Sequence, residues 1–536
     1  MTSRILWIGV ALLFVLYPGT SVADTRLVFP RINFQNGLFS GVAISNPTAS
    51  AATIKLTAYD LDGTKFGGSG ITNEVSFPIP AGGQYLALAS QIFNPPSSIL
   101  EGVTPTYLWM GVTSSTSGLT GMYIEGDNSI TFQYGGDLGS FGTDLYLPGV
   151  ENAGTSVTEI SLVNADTSST GAPANVTVDF LRADGTKVDS KNVVVPRAGA
   201  IQGPLASIPG FQVAYDQVVA LRIHGDRPVL CYGIMRPGTG KTPVALPAED
   251  VTTPAQRLFF PQLAQGQGWA TAIAIANLNF LNQALVNITA FKPDGSLYVD
   301  SSITNPVTRQ IPPGGFLRAS FTDLFPFTDP SYKDGWIQVD ASSACINGFV
   351  EYGAGNNRAL VIAQLNSYKL SIFSHQAQDA PYFTGLAILN PGTLATNVEI
   401  FSLDREGNTF GRAQTVLKPG QRISQLLYQI VPESNGKNGG SVFVRSDLPV
   451  VATELFARND ITALANVPPQ QVTTSFDPKS NSPKISPLPP IAIVLTGGSQ
   501  QFSVPGVSGV QWTVAGSGGS SNVGTVSATG VYTAPS

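Results

Sequence analysis

Apolar and polar residues alternate with a period of two along most of this chain, and helical spacing is scarce. The alternation is clearest in four short segments: Val42 and Ile44, Ile160 and Leu162, Ile273 and Ile275, Leu386 and Ile388. Each pair places two large apolar side chains on one face of a predicted strand, with smaller residues on the other, which predicts one buried face. Each segment closes on an asparagine: Asn46, Asn164, Asn277 and Asn390, spaced by 118, 113 and 113 residues. Sixteen residues before them stand Pro30, Pro148, Pro261 and Ser374, preceded by Phe29, Leu147, Phe260 and Phe373. Agreement at that many fixed offsets establishes an internal repeat.

Every repeat continues alike. A β-rich run such as Thr53–Tyr59 or Asn175–Phe180 ends at Asp62-Gly63, Asp184-Gly185, Asp294-Gly295 or Glu406-Gly407. Asp-Gly between apolar runs predicts a hairpin with a type I′ turn, φ being positive at both central residues. A second turn follows at Pro80-Ala81-Gly82, Pro196–Gly199, Pro313-Gly314 or Pro419-Gly420. A last hairpin is expected to close each unit, as in 218–223 paired with 229–235 around Gly225-Asp226. Short helices or turns are expected only at 91–100 and 424–431. Seven or eight strands in about 113 residues fit an immunoglobulin-like β-sandwich; two propeller blades per repeat would fit the same length. The predicted fold is all-β: four tandem sandwich repeats at 24–143, 144–256, 257–368 and 369–474, then a Pro-rich linker at 475–490 and a partial domain at 491–536.

Composition narrows the function. The 536 residues carry 29 Lys+Arg and 35 Asp+Glu, a net charge of −6. At 12% charged residues, against about 25% in ordinary soluble chains, the protein is poorly suited to bind nucleic acid by counterion release. The N-terminus reads as a signal peptide over residues 1–23. Arg4 precedes an apolar run from Ile5 to Tyr17, broken by Pro18-Gly19, and Ser21-Val22-Ala23 form the cleavage site. The run is short for a membrane span, although an anchor is the alternative reading. The sequence therefore predicts a secreted or cell-surface protein with no integral membrane segment after cleavage.

After the linker, Trp512 on an apolar run and Gly524-Thr525-Val526-Ser527-Ala528-Thr529-Gly530-Val531-Tyr532-Thr533-Ala534-Pro535 carry a likeness to a known family. The segment resembles bacterial immunoglobulin-like (Big) domains of intimin- and invasin-type surface proteins. The resemblance covers about 50 residues and implies a cell-surface setting. Such domains usually continue for two or three further strands, so a sandwich ending at Ser536 would be incomplete. The four longer repeats carry no such likeness.

Candidate chemistry is sparse. Nucleophilic catalysis needs a base beside Ser or Cys, and the only imidazoles, His224 and His375, fall in predicted exposed loops. Phosphate loops, nucleophile elbows and His-Glu-x-x-His are missing from the sequence. Acidic residues that could serve as a glycosidase pair fall mostly on turns, at Asp60, Asp62, Asp184, Asp294, Asp404 and Glu406. The Asp60–Gly63 turn is like part of a calcium loop without its later acidic ligands. Cys231 and Cys345, aligned through Gly233 and Gly348, would occupy adjacent positions of one strand in different repeats, too far apart to bridge, and are expected to be free thiols. By the same register Trp109 and Trp336 match Leu221 and Val442 and read as core. Trp269, in Gly266-Gln267-Gly268-Trp269, is the candidate for exposure. No catalytic, cofactor or metal residue is assigned. The leading reading is a non-catalytic stalk, adhesin or matrix component whose partner is an extracellular protein or a glycan; the alternative is a carbohydrate-binding or accessory protein.

Overall fold

The computed structural model describes residues 25–478 except 103–105, 239, 462 and 475, together with 494, 496–502, 512, 514 and 523–535. The segment expected to be a signal peptide and nearly all of the expected linker lie outside the described residues. The chain divides into two units, Met1–Pro478 and Lys479–Ser536. In the second, Ser499–Gln501 and Thr525–Val526 both pair with Val531–Thr533 in a small antiparallel sheet.

The first unit is all-β and consists of tandem β-sandwich repeats. In the first repeat an outer sheet orders Thr25–Phe34, Thr106–Ser114, Ala52–Tyr59 and Val75–Ile79. An inner sheet orders Gln84–Leu88, Leu38–Ser45, Thr120–Asp127 and Gln133–Asp137. Repeats beginning at Gly142, Arg257 and Tyr368 repeat the plan. A short helical turn follows the fifth strand in each, at Ala89–Phe93, Leu205–Ser207, Phe321–Leu324 and Leu427–Ile430. Two of these lie where helices were expected. The turn at Phe321–Leu324 is held by Ser320, whose hydroxyl accepts from the Asp323 amide.

The repeating asparagine is a buried clasp. Nδ2 of Asn46 donates to the carbonyls of Ser50 (2.8 Å), Ile79 (3.1 Å) and Pro80 (2.9 Å), and Oδ1 accepts from the Thr48 amide. Asn277 repeats this with Asn282, Ile311 and Pro312. One amide side chain thus satisfies carbonyls that the chain reversal leaves unpaired, which explains the motif without a ligand.

Three local expectations are corrected. First, the Asp-Gly turns are not type I′. Only the glycine has positive φ, and the pattern Gly63 N–H to Asp60 O (3.0 Å) with Asp60 N–H to Thr64 O (2.9 Å) recurs in all four repeats. That is a type I turn followed by a left-handed glycine. Asp62 caps it, accepting from the Thr64 amide and hydroxyl, as Asp184 and Asp294 do with Thr186 and Ser296. Second, 218–223 does not pair with 229–235. Both belong to one strand, Ala220–Arg236, whose first half joins the outer sheet and whose second half joins the inner sheet. Ser441–Arg458 does the same in the fourth repeat, whereas the first and third use two separate strands. Third, this difference shifts the register. Trp109 and Trp336 stand opposite Tyr59 and Phe291, and the matching residues are Ala220 and Ser441, not Leu221 and Val442. Cys231, opposite Leu162, then matches Gly348 opposite Ile275, three residues from Cys345. Both cysteines are free and buried in different cores.

The repeats close on themselves. The Asp-Gly turn of each docks on the Pro-Gly turn of the next through one conserved-geometry hydrogen bond. Ala200 N–H donates to Leu61 O (3.0 Å), Phe316 to Ala183 (2.9 Å) and Arg422 to Pro293 (2.8 Å), and Gln84 of the first repeat donates to Arg405 of the fourth (2.8 Å). A Cβ on Gly63 would lie 2.0 Å from Arg197 O, and one on Gly407 2.2 Å from Ala81 O, so close approach as well as φ requires glycine there. The last inner strands, Gln133–Asp137, Val244–Pro247, Asn357–Ile362 and Leu464–Val467, contact one another in a circle. The smaller face of each signature strand, expected to be the lesser one, is buried against the preceding repeat. Ala274 and Ala276 join the second repeat's core, and Ala43 the fourth's. Four sandwiches thus form a ring with four quasi-equivalent junctions.

Candidate functional site

The junctions differ at one place. It is framed by the residue after the Pro30 position, fifteen before the signature asparagine, and by the residue five before the next repeat's asparagine. These pairs are Arg31 with Glu159, Gly149 with Ala272, Gln262 with Gly385, and His375 with Gly41.

Between the first and second repeats the place is filled with charge. Arg31 is fully buried and bridges Glu125 (3.2 Å) and Glu159; Arg236 reaches Glu159 (2.7 Å), and Tyr134 donates to Glu125 (2.5 Å). Burial raises the Glu159 carboxyl, but Arg31 and Arg236 outweigh it and hold the group below its usual range. The Arg31 guanidinium lies over the Tyr107 ring, 4.8 Å from its centroid. This is an internal plug.

Between the second and third repeats, Gly149 packs against Phe349, and Ala272 borders a polar cleft of about 450 Å³, lined almost wholly by the third repeat, that includes Thr271, Glu351, Arg358 and, from the second repeat, Lys241. Beside it Arg358 joins Glu151 (3.1 Å) to Glu351 (3.2 Å), and Arg318 bonds both glutamates.

Between the third and fourth repeats lies a cleft of about 290 Å³. Gly385 and Ala457 occupy the positions of Glu159 and Arg236, and Tyr352 that of Glu125. Trp269 stacks on Tyr352 (4.8 Å between centroids, 16° between planes), and Phe383 and the 39% exposed Tyr332 complete the aromatic lining. Trp269 is half-buried in this cleft, not exposed on a loop. The polar side is ordered. Oε1 of the buried Gln262 accepts from Arg422 Nη1 (2.7 Å) and Ser424 Oγ (3.0 Å), and Arg422 Nη2 holds Asp334 (2.5 Å). Burial raises the Tyr332 and Tyr352 hydroxyls, so both stay neutral donors.

Between the fourth and first repeats, a cleft of about 360 Å³ is lined by His375, Gly41, Tyr382, Phe456 and Arg405. His375 was expected in an exposed loop but is 6% exposed, edge-on to Phe456 (4.5 Å), with neither ring nitrogen hydrogen-bonded. Burial and the nearby Arg405 push its pKa down to about 4. His224 is likewise not on a loop. It lies within Ala220–Arg236, with Nε2 3.4 Å from Asp179.

Trp109 and Trp336, expected as core, are buried, and each also acts across a junction. Trp109 stacks on Tyr59 (4.5 Å) and donates to Ala198 O (2.8 Å); Trp336 stacks on Phe291 (4.0 Å) and donates to Gly420 O (3.0 Å). The junction clefts themselves were not foreseen. Their only sequence signal is loss of the Arg31 and Glu159 types at matching offsets. No family model matches the chain, and no curated protein matches it.

Proposed function

We propose that this chain is an exported, non-catalytic binding protein, acting in adhesion or as a component of an extracellular matrix. The observation that carries the reading is where the repeat's signature residues go. The asparagines clasp a chain reversal, the Asp-Gly and Pro-Gly turns join neighbouring repeats, and the tryptophans latch two of the joints. What this builds is a rigid ring that presents clefts at its junctions, a form suited to holding a partner. The leader-like N-terminus supports export, and the resemblance of 491–536 to Big domains supports a cell-surface setting. Ring closure argues against the repeats of residues 25–478 stringing end to end as a stalk, so an adhesive role is favoured over that of a spacer.

The test is binding of the purified chain to arrays of extracellular-matrix proteins and to intact cells, alongside fractionation of the producing cells. Saturable binding by exported protein is expected. Retention in the cytoplasm, or turnover of a substrate that mutation of a single acidic residue abolishes, would overturn the reading.

A further inference from the structure

We propose that the cleft between the third and fourth repeats is a saccharide-binding site for one or two pyranose rings of a neutral glycan. The inference rests on the binding-protein reading and names the ligand class for one of its clefts.

The first support is that the space is opened by side-chain truncation at a place that can be filled. The same location one junction pair earlier is closed by Arg31, Glu125, Glu159 and Arg236. Here Gly385 and Ala457 withdraw two of those side chains, and the surrounding core stays packed, with Ala457 and Leu464 buried.

The second is the lining. Trp269 stands where the other repeats carry Leu38, Ser156 and Tyr382, and Tyr352 where they carry Glu125, Met235 and Phe456. Structural need does not impose the pair, since the fold repeats without it. Trp269, braced by the buried Tyr352 on which it stacks, offers an indole face to the C–H face of a pyranose. Gln262, Ser424, Gln425, Gln429 and Thr453 line the same cleft and match a ring that also carries hydroxyls. A wholly aliphatic ligand would bury those polar groups without partners. The two bonds to Oε1 fix the Gln262 amide in advance, which lowers the ordering cost of binding.

The third is charge. Asp334 is the one charged residue in the lining, and Arg422 already engages its carboxylate. The cleft therefore offers an anionic glycan no free cation. Its volume, about 290 Å³, lies just below the roughly 300–1,000 Å³ of small-molecule sites, which suits one or two sugar rings rather than a long chain.

The test titrates the full chain, by tryptophan fluorescence and calorimetry, with neutral oligosaccharides of glucose, mannose, xylose and N-acetylglucosamine, with sialylated and sulfated glycans, and with adenosine. At least one neutral oligosaccharide is expected to bind, and Trp269→Ala to weaken it about tenfold or more, equivalent to about 1.4 kcal/mol. Because Trp269→Ala could loosen the junction, the decisive variant is Q262R/G385E, which fills the cleft with two of the four plug residues of the first junction. It is expected to abolish binding in a chain that still unfolds cooperatively, read by thermal unfolding. Phe141→Ala, remote in sequence and 38% exposed, is the neutral control. No binding by any neutral glycan, a preference for acidic glycans or adenosine, or binding unchanged in Q262R/G385E would each overturn the proposal. Glycan binding that persists in Q262R/G385E sinks the saccharide site alone; absence of adhesion by the parent chain sinks the broader reading.

Discussion

The first and third junctions of the ring have the same frame and opposite contents. Both use a tryptophan latch to the next repeat, Trp109 to Ala198 and Trp336 to Gly420. At the first, Arg31, Glu125, Glu159 and Arg236 fill the space between repeats with a buried ion network; at the third, Gln262, Gly385, Tyr352 and Ala457 leave an aromatic cleft. The difference teaches that the joint does not depend on what fills this space. The turn-on-turn hydrogen bond and the latch hold it, and the residues between are free to become a plug or a pocket.

The largest effect expected from breaking that comparison is at the plug. Arg31→Ala strands Glu125 and Glu159 without their cation and should destabilise the first unit by about 3–5 kcal/mol in chemical denaturation, whereas Gln262→Ala at the matching position should cost about 1 kcal/mol or less. Equal losses would mean that the cleft is as structural as the plug. Next comes the clasp common to all repeats. Asn277→Ala leaves the Asn282, Ile311 and Pro312 carbonyls unpaired and should cost about 3 kcal/mol, read in the same experiment.

Two buried titratable groups sharpen the picture in opposite pH directions. Glu454 is fully buried, neither carboxylate oxygen has a partner, and burial holds its pKa well above the ordinary value. The folded chain keeps the proton that the unfolded chain releases near pH 4.3, so stability should fall as pH rises above that value. Glu454→Leu should add about 2 kcal/mol at pH 4 and more at pH 7, measured by thermal unfolding. His375 behaves oppositely. Its folded pKa of about 4 against about 6.5 unfolded removes stability as pH falls from 6.5 toward 4, and His375→Phe should flatten that acid limb. An unchanged profile would mean that water reaches the imidazole. At the latch, Trp336→Phe keeps a ring on Phe291 but loses the bond to Gly420 O, for about 1 kcal/mol, to which the void left by the smaller ring adds.

The sandwich and the repeat period were legible because the strands alternate large and small residues and because Asn46, Asn164, Asn277 and Asn390 recur at fixed offsets. The ring was not. Asp62-Gly63 and Pro80-Ala81-Gly82 each read correctly as local turns, but nothing local states that one repeat's Asp-Gly turn docks on the next repeat's Pro-Gly turn, or that Arg405 reaches back to Gln84 across more than 300 residues. The small residues Ala43, Ala274 and Ala276 were the available hint. A strand face of alanines on an exposed surface gains little, whereas the same face under a neighbouring sheet lets two backbones approach. The histidines were misplaced for a related reason. His375 looks like a loop residue in Ser374-His375-Gln376 until its offset is matched to that of Arg31, a fully buried cation. The tryptophan register slipped because Ala220–Arg236 and Ser441–Arg458 run unbroken between sheets where the other repeats use two strands.

Closure of the fourth repeat on the first is the claim on which the rest depends, and it is tested most directly by pulsed electron spin resonance across two equivalent junctions. One spin-label pair at Glu406→Cys and Ala81→Cys spans the closing junction, and a second at Asp62→Cys and Arg197→Cys spans the first, both in a chain with Cys231 and Cys345 replaced by alanine. The ring predicts the same short, narrow distance distribution for both pairs. A short distance across the first junction with a long or broad one between 406 and 81 would contradict it and leave an open array of four sandwiches.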